Sequence, residues 1–208
     1  MMKKINRVLR EILYRVYERN EPFMSQKSLG QACETSIDTV NRLVSKLYQF
    51  GSIEKKPLGF RVTNPKKVLL YWASTRNLAS DIVYSTYSPD QVSEIEVEMS
   101  PGTIFTGYSG YQRRFKDMPT YYEGVYIYAD PDDIKRKFPE KAIERKNIFV
   151  LRSDPHLKKV SKNNAAPLAQ IYVDLWQMGE ATSERFVLEL EKKLEPKLSD
   201  VLKALTRK

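Results

Sequence analysis

Residues 25–62, SQKSLGQACETSIDTVNRLVSKLYQFGSIEKKPLGFRV, constrain what this chain can fold into more than any other stretch. In the middle of it, apolar residues recur at Ile37, Val40, Leu43, Val44, Leu47 and Phe50, the spacing of one helical face. Thr35, with Asp38 three residues on, reads as a capping-box variant at the start of this helix. Gly51 reads as the residue that ends it. Just upstream, residues 25–33 make a shorter helical piece, with Leu29 and Ala32 free to pack and Gln26, Ser28 and Gln31 polar. Downstream, residues 52–54 and 60–62 read as short strands around Lys55-Lys56-Pro57-Leu58-Gly59, a hairpin with a basic tip. A short helix, a tight turn, a capped helix and a hairpin are the order of a winged helix-turn-helix.

The face of the long helix opposite its apolar stripe carries Asp38, Arg42, Ser45 and Gln49, flanked by Thr39 and Lys46. Such a face suits a DNA major groove, where Arg pairs with a guanine edge and Lys or Ser holds phosphate. Gln26, Lys27, Ser36, Thr39, Arg42 and Lys46 are therefore expected in or beside the groove. Lys55, Lys56 and Arg61 are expected to brace the phosphate backbone from the wing. The competing account is an amphipathic helix with an ordinary solvated face. Charge segregation argues against it. Residues 1–76 hold 15 Lys+Arg against 6 Asp+Glu, whereas residues 77–208 hold 20 of each, so the whole net charge of +9 lies in the first part. A double-stranded DNA partner follows from this excess and from the pI near 9.4.

At 208 residues the chain can make one large or two modest domains, and the charge asymmetry favours two. An apolar content of 41% with 29% charged residues indicates a packed core rather than disorder. The one cysteine, Cys33, excludes an intrachain disulfide, fits a reducing cytoplasm, and is expected as a small buried residue. No apolar run approaches a membrane span and no signal-peptide core is visible, so no membrane partner is expected.

In chain order, residues 5–19 read as an amphipathic helix, to which Lys3, Lys4, Arg7, Arg10 and Arg15 add positive charge. Asn64 and Pro65 open a helix whose Val68, Leu69, Leu70, Tyr71 and Trp72 pack between two units or support a homodimer. The composition changes around residues 76–81. The expected organisation is a winged helix-turn-helix domain over 1–64, a connecting helix over 65–80, and a mixed α/β domain over 81–208. In the last, residues 92–99 alternate with a period of two and predict a strand, its Glu94, Glu96 and Glu98 on a wet face. Residues 107–111, GYSGY, read as a loop of small and aromatic residues without the lysine of a phosphate-binding loop. Arg113, Arg114 and Lys116 form either a basic patch or a solvated helix end. Residues 125–128 and 148–151 are strands rich in β-formers, and Asp130-Pro131 opens a helix between them. His156 is placed in a loop. Residues 168–178 are an apolar helix stopped by Gly179. Thr182 is expected to cap a further helix running to residue 194, followed by a short terminal helix over 198–205. The fold class is thus α+β, with a small sheet and C-terminal helices in the second part.

No catalytic, metal or cofactor set is assigned. A single histidine supports no Ser-His-Asp arrangement. Pro131-Asp132 followed by Glu144-Arg145-Lys146 matches a degenerate metal-dependent nuclease pattern, in which two carboxylates hold the metal and a lysine flanks the attacking water. A nuclease and a protein-docking module without specific DNA binding are the two alternatives to a DNA-binding regulator.

The order of segments GTIFTGYSGY, GVYIYAD, NIFVLRSD and APLAQIYVDLWQMGEATSERFVLELEKKL, after the helix-turn-helix pattern, resembles the AbiEi-type antitoxin and transcriptional-regulator family of type IV toxin–antitoxin systems. The stretch Pro167-Leu168-Ala169-Gln170-Ile171-Tyr172-Val173-Asp174-Leu175 is similar to that family's P-x-Q-[LI]-Y-x-D-L segment. The resemblance implies a winged helix that represses its own operon through operator repeats. It also implies a C-terminal domain for antitoxin action or assembly, whose cognate toxin is a nucleotidyltransferase.

Overall fold

A 3.6-residue apolar spacing and well-placed caps make the first part of the chain. The computed structural model describes residues 4–141 and 145–206, with side chains through residue 195. Helix α1 (Lys4–Arg19) buries Val8, Leu9, Ile12, Leu13 and Val16 and stops where Asn20 turns left-handed. After strand β1 (Phe23–Met24), the Ser25 side chain accepts the Ser28 N–H and starts α2 (Gln26–Cys33). Helix α3 (Ile37–Gln49) follows a left-handed Glu34 and is capped by Ser36, whose Oγ accepts the Thr39 N–H. Gly51, at φ 63°, turns the chain into β2 (Ile53–Lys56), which pairs antiparallel with β3 (Gly59–Val62). Strand β3 is central, because β1 pairs with its other edge. Gly59 makes that pairing possible: a Cβ there would lie 2.5 Å from the Met24 carbonyl oxygen. Asn64 Oδ1 accepts the Lys67 N–H and starts α4 (Pro65–Thr75), with Pro65 in the first turn.

The second part threads a 3-10 turn (Ala79–Asp81), β4 (Ile82–Thr86), α5 (Val92–Glu98), β5 (Ile104–Thr106), α6 (Gly107–Phe115), β6 (Val125–Tyr128), α7 (Pro131–Lys137), β7 (Ile148–Leu151), α8 (Pro155–Val160), α9 (Leu168–Met178) and α10 (Ala181–Thr206). Its sheet has the order β4-β7-β6-β5, with β6 and β7 parallel and the outer pairs antiparallel. The architecture is mixed α+β with two small sheets.

One hydrophobic cluster crosses the expected boundary at residues 65–80. It joins Leu9, Leu13, Leu43, Phe60 and Trp72 to Tyr111, Ile171, Leu175, Phe186 and Leu190. Helix α9 is its axis: every residue from Leu168 to Leu175 is buried, and the helix packs on α1, α4, α6 and α10. A second cluster, with Ile95, Ile127, Ile134 and Val150, joins the four-stranded sheet to α5 and α7.

Buried ions join the two parts as well. Arg10, fully buried, donates to both carboxylate oxygens of Asp154 at 3.0 Å and to Gln170 Oε1 at 2.8 Å. Its Nη1 also meets His156 Nδ1 at 3.2 Å. A guanidinium only donates, so Nδ1 accepts and Nε2–H is left to donate to Glu11 Oε2 at 2.8 Å. Glu11 in turn accepts from Arg15 Nε at 2.6 Å, and Arg15 Nη1 donates to Ser28 Oγ of α2 at 3.0 Å. From Gln170 the network runs on to Tyr128 Oη and Asp174 Oδ1. Asp174 also receives Arg76 and Thr106, and Arg76 reaches Asp81.

Several sequence expectations are corrected here. Residues 92–98 are helical, not a strand: Glu94 Oε2 accepts the Gln91 N–H at 3.0 Å, and Ile95 and the C-cap residue Met99, four apart, are buried. GYSGY is the first turn of α6, where Gly110 lets the helix approach β5 so closely that a Cβ would lie 2.9 Å from the Phe105 carbonyl oxygen. His156 sits in α8 and is buried, rather than in a loop. Ser36, not Thr35, caps α3. Helix α10 begins before Thr182, with Ser183 Oγ accepting the Glu180 N–H, and it is continuous where a separate terminal helix was expected. Arg10 and Arg15 are not solvated cations. Arg113 pairs with Glu96 and lies over the Phe105 ring, while Arg114 pairs with Glu18. Strand β4 has no counterpart among the expected elements.

Candidate nucleic-acid interface

Helix α3 shows what its sequence can offer a ligand. Val40, Leu43, Val44 and Leu47 are buried, and Asp38, Asn41, Arg42, Lys46, Tyr48 and Gln49 are exposed. The apolar stripe is narrower than its spacing implied, because Ile37 and Phe50 at the two ends are each 55% exposed. Arg42 and Lys46 project from this face and form no ion pair within the described residues. Ser36 and Thr39 stand at the N-terminal end, but their hydroxyls face each other at 3.0 Å and Ser36 Oγ also holds the Thr39 N–H, so the cap occupies both.

The hairpin and α2 meet α3 around one open cleft of about 400 Å³, lined by Gln26, Lys27, Val44, Lys55, Lys56 and Leu58 among others. Four of the nine expected contact residues thus share one concavity. Lys55 Nζ lies 4.7 Å from the Tyr48 ring centroid, which holds its stem against α3. Lys56 is paired with Glu54 at 2.8 Å, which reduces the net charge it presents. Arg61 stands in the middle strand, cross-strand from Glu54 on one side and Phe23 on the other, away from the hairpin tip. Gln26 Nε2 meets Asn41 Oδ1 at 3.5 Å, the outer limit of a hydrogen bond.

Sequence inspection missed two features of this surface. Asn41 is exposed beside Arg42, and its three-residue spacing from Asp38 was the available signal. The hairpin tip itself is Pro57-Leu58 rather than lysine. Leu58 sits at φ 65° and 93% exposed, in the turn position after a proline where glycine is the usual residue.

The wider charge balance is less one-sided than the sequence suggests. Arg7, Arg10 and Arg76 pair with Asp154, Asp81 and Asp174 from the second part, so these cations are not displayed to a polyanion. The basic surface left near α3 rests on Lys27, Arg42, Lys46, Lys55 and Arg61. Cys33, behind α2, is fully buried with its thiol on the Arg7 carbonyl oxygen, and burial pushes that thiol up to about 12, so it stays protonated.

Comparison with known proteins returns no matching family model, no matching curated protein and no matching solved structure.

The nuclease pattern is only partly covered by the described residues. Asp132 is exposed in the first turn of α7 and pairs with Lys135 at 3.3 Å, and Glu144 lies outside the described residues. No group of three or more His, Cys, Asp or Glu suited to a metal occurs among the described residues, and none of their helices is long and apolar enough to cross a membrane.

Proposed function

We propose that residues 4–62 form a winged helix-turn-helix that binds double-stranded DNA, and that the chain is a transcriptional regulator. In this proposal α3 enters the major groove, with Arg42 and Asn41 at base edges and Lys46 on phosphate. The β2–β3 hairpin rests against the backbone through Lys55, and Lys27 reaches phosphate from α2. One observation carries it: Arg42 and Lys46 lie exposed on the solvent face of α3, without an acidic partner among the described residues, beside the cleft where Lys27, Lys55 and Lys56 converge. The order α1-β1-α2-α3-β2-β3, with β1 on the free edge of β3, supports the same conclusion.

The resemblance to AbiEi-type antitoxins extends the proposal to repression of the protein's own operon, with a C-terminal part that meets a nucleotidyltransferase-like toxin. A homodimer would address two half-sites spaced by about one turn of DNA, roughly 34 Å.

The test is fluorescence anisotropy with the duplex upstream of the protein's own gene, against a scrambled duplex, at two salt concentrations. Three to four phosphate contacts predict a log–log salt slope of about −3 to −4, and specific operator recognition predicts at least about a thousandfold preference for the native duplex. Equal affinity for both duplexes would reduce the protein to a non-specific binder. No binding at either salt would move it to protein docking.

A further inference from the structure

A cavity of about 310 Å³ opens on the second part of the chain, lined by side chains of β6, β7, α6 and the start of α10. Its size falls at the lower end of small-molecule sites, about 300–1,000 Å³. The walls are aromatic. Tyr126 and Phe149 stack on each other with centroids 4.4 Å apart, and Tyr108 and Tyr122 stack at 5.1 Å. Gly124 is also part of the lining, and a Cβ there would lie 3.1 Å from the Tyr126 ring.

Three polar groups in this cavity lack ionic or hydrogen-bond partners of the usual kind among the described residues. Tyr126 is 8% exposed, yet its hydroxyl bonds no described residue and is not among the side-chain atoms sealed from solvent. The Glu180 carboxylate accepts the Tyr108 hydroxyl, at 3.2 Å, and has no cation partner among the described residues. Its charge, after burial, also helps push the Tyr126 hydroxyl up to about 12, so that hydroxyl is a fixed donor. Lys146 Nζ donates to the Lys141 carbonyl oxygen at 2.8 Å and meets no carboxylate among the described residues. The remaining two charges of the lining, Arg145 and Glu123, neutralise each other. Among the described residues, the cavity therefore combines stacked aromatic walls with a carboxylate and an ammonium without ionic partners and a phenol without a hydrogen bond.

We propose that this cavity binds a free α-amino acid with an apolar or aromatic side chain, its ammonium on Glu180, its carboxylate on Lys146 and Tyr126, and its side chain against the rings. A cation alone would leave Lys146 unanswered and an anion alone would leave Glu180 unanswered. Glu180 is exposed and Lys146 half-buried, so either can be hydrated, and a zwitterion is the ligand that engages both at once. The proposal is independent of DNA binding, and its test needs no nucleic acid.

The experiment is isothermal titration of the full-length protein with L-phenylalanine, phenethylamine and 3-phenylpropanoate, which share the ring and differ only in charge. L-Phenylalanine is expected to bind at least about tenfold more tightly than either analogue, since each lost charge-assisted contact costs that much or more. Glu180→Gln should abolish the advantage over 3-phenylpropanoate, and Lys146→Met the advantage over phenethylamine. Both substitutions are at the rim, and circular dichroism verifies that the variants remain folded. Absence of heat with L-phenylalanine at millimolar concentration overturns the proposal. So does equal binding of either single-charge analogue, or a preference that survives both substitutions.

Discussion

Replacing Asp154 by Asn tests whether the two parts of the chain are held together by a buried charge pair. Asp154 accepts two hydrogen bonds from the fully buried Arg10 and caps α8 through the Leu157 N–H at 2.9 Å. Removing one partner of a buried ion pair costs about 3–5 kcal/mol, because the other charge stays buried without compensation. Asn is as good an N-cap as Asp, so the cap term is preserved. Its amide oxygen still accepts one Arg10 N–H, and Gln170 and His156 keep their bonds to Arg10. These considerations place Asp154→Asn at the lower end, about 3 kcal/mol. Asp154→Ala loses the cap as well and should cost about 1 kcal/mol more. The joint replacement Arg10→Met with Asp154→Leu should regain part of the loss, since the Arg10 charge is no longer buried without its partner, while the α8 cap and the Arg7 partner stay lost. The assay is guanidinium unfolding, followed by fluorescence of the fully buried Trp72 and by far-ultraviolet circular dichroism. A drop of about 3 kcal/mol is a large share of a typical 5–15 kcal/mol. A loss below about 1 kcal/mol for Asp154→Asn, the worth of a surface pair, would refute the reasoning.

Arg42→Ala should weaken binding to the native duplex by about 1–3 kcal/mol and relax its sequence preference, whereas Lys55→Ala should weaken all duplexes alike and reduce the salt slope by about 1; unchanged anisotropy curves for both variants would sink the groove placement. Acid should unfold the protein through Asp154 and Glu11. Burial, the largest effect on each, pushes their carboxyls up, but Arg10 at Asp154, and His156 and Arg15 at Glu11, outweigh it and hold both below the usual range. Their stabilisation is complete above the unfolded value near pH 4 and is lost as pH falls through the lower folded values. The guanidinium midpoint should therefore decline steeply below about pH 4, and a flat midpoint down to pH 2 would contradict the assignment. Gly59→Ala should destabilise by about 1–3 kcal/mol by forcing β1 off β3, measured as a lower midpoint with loss of β-signal; an unchanged midpoint would show that the 2.5 Å approach to Met24 relaxes freely.

Local signals in the sequence located most elements. The stripe of α3, the Asn64-Pro65 and Asp130-Pro131 openings, and the strands at 125–128 and 148–151 are each decided within a few residues, by caps or by β-formers, and the structure places them there. Residues 92–99 misled because VSEIEVEM satisfies a period of two and a helical face at once, and the deciding bond, Glu94 back to Gln91, is one that alternation does not register. The charge census misled for a different reason. Arg10, Arg15 and Arg76 count as surface cations in a composition, but tertiary packing seats them on Asp154, the Ser28 hydroxyl and Asp174, beside the local acids Glu11 and Asp81. The same distance hid the cavity, since Tyr108, Tyr126, Lys146 and Glu180 come from four separate stretches. For the segment on which the family resemblance rests, the structure offers a packing account: Gln170 and Asp174 are fully buried and join the two halves of the polar network.

The separation of Arg10 from its counter-ion has a consequence for how the protein is made. Asp154 follows Arg10 by 144 residues. At a synthesis rate of about 5–20 residues per second, the carboxylate leaves the ribosome roughly 7–30 s after the guanidinium it must meet. During that interval the amino-terminal helices carry a cation and an apolar face whose complements have not yet been translated. The nascent chain is thus obliged to wait for its own last third before its first helix can close, and maturation of the whole is timed by the arrival of α8 and α9.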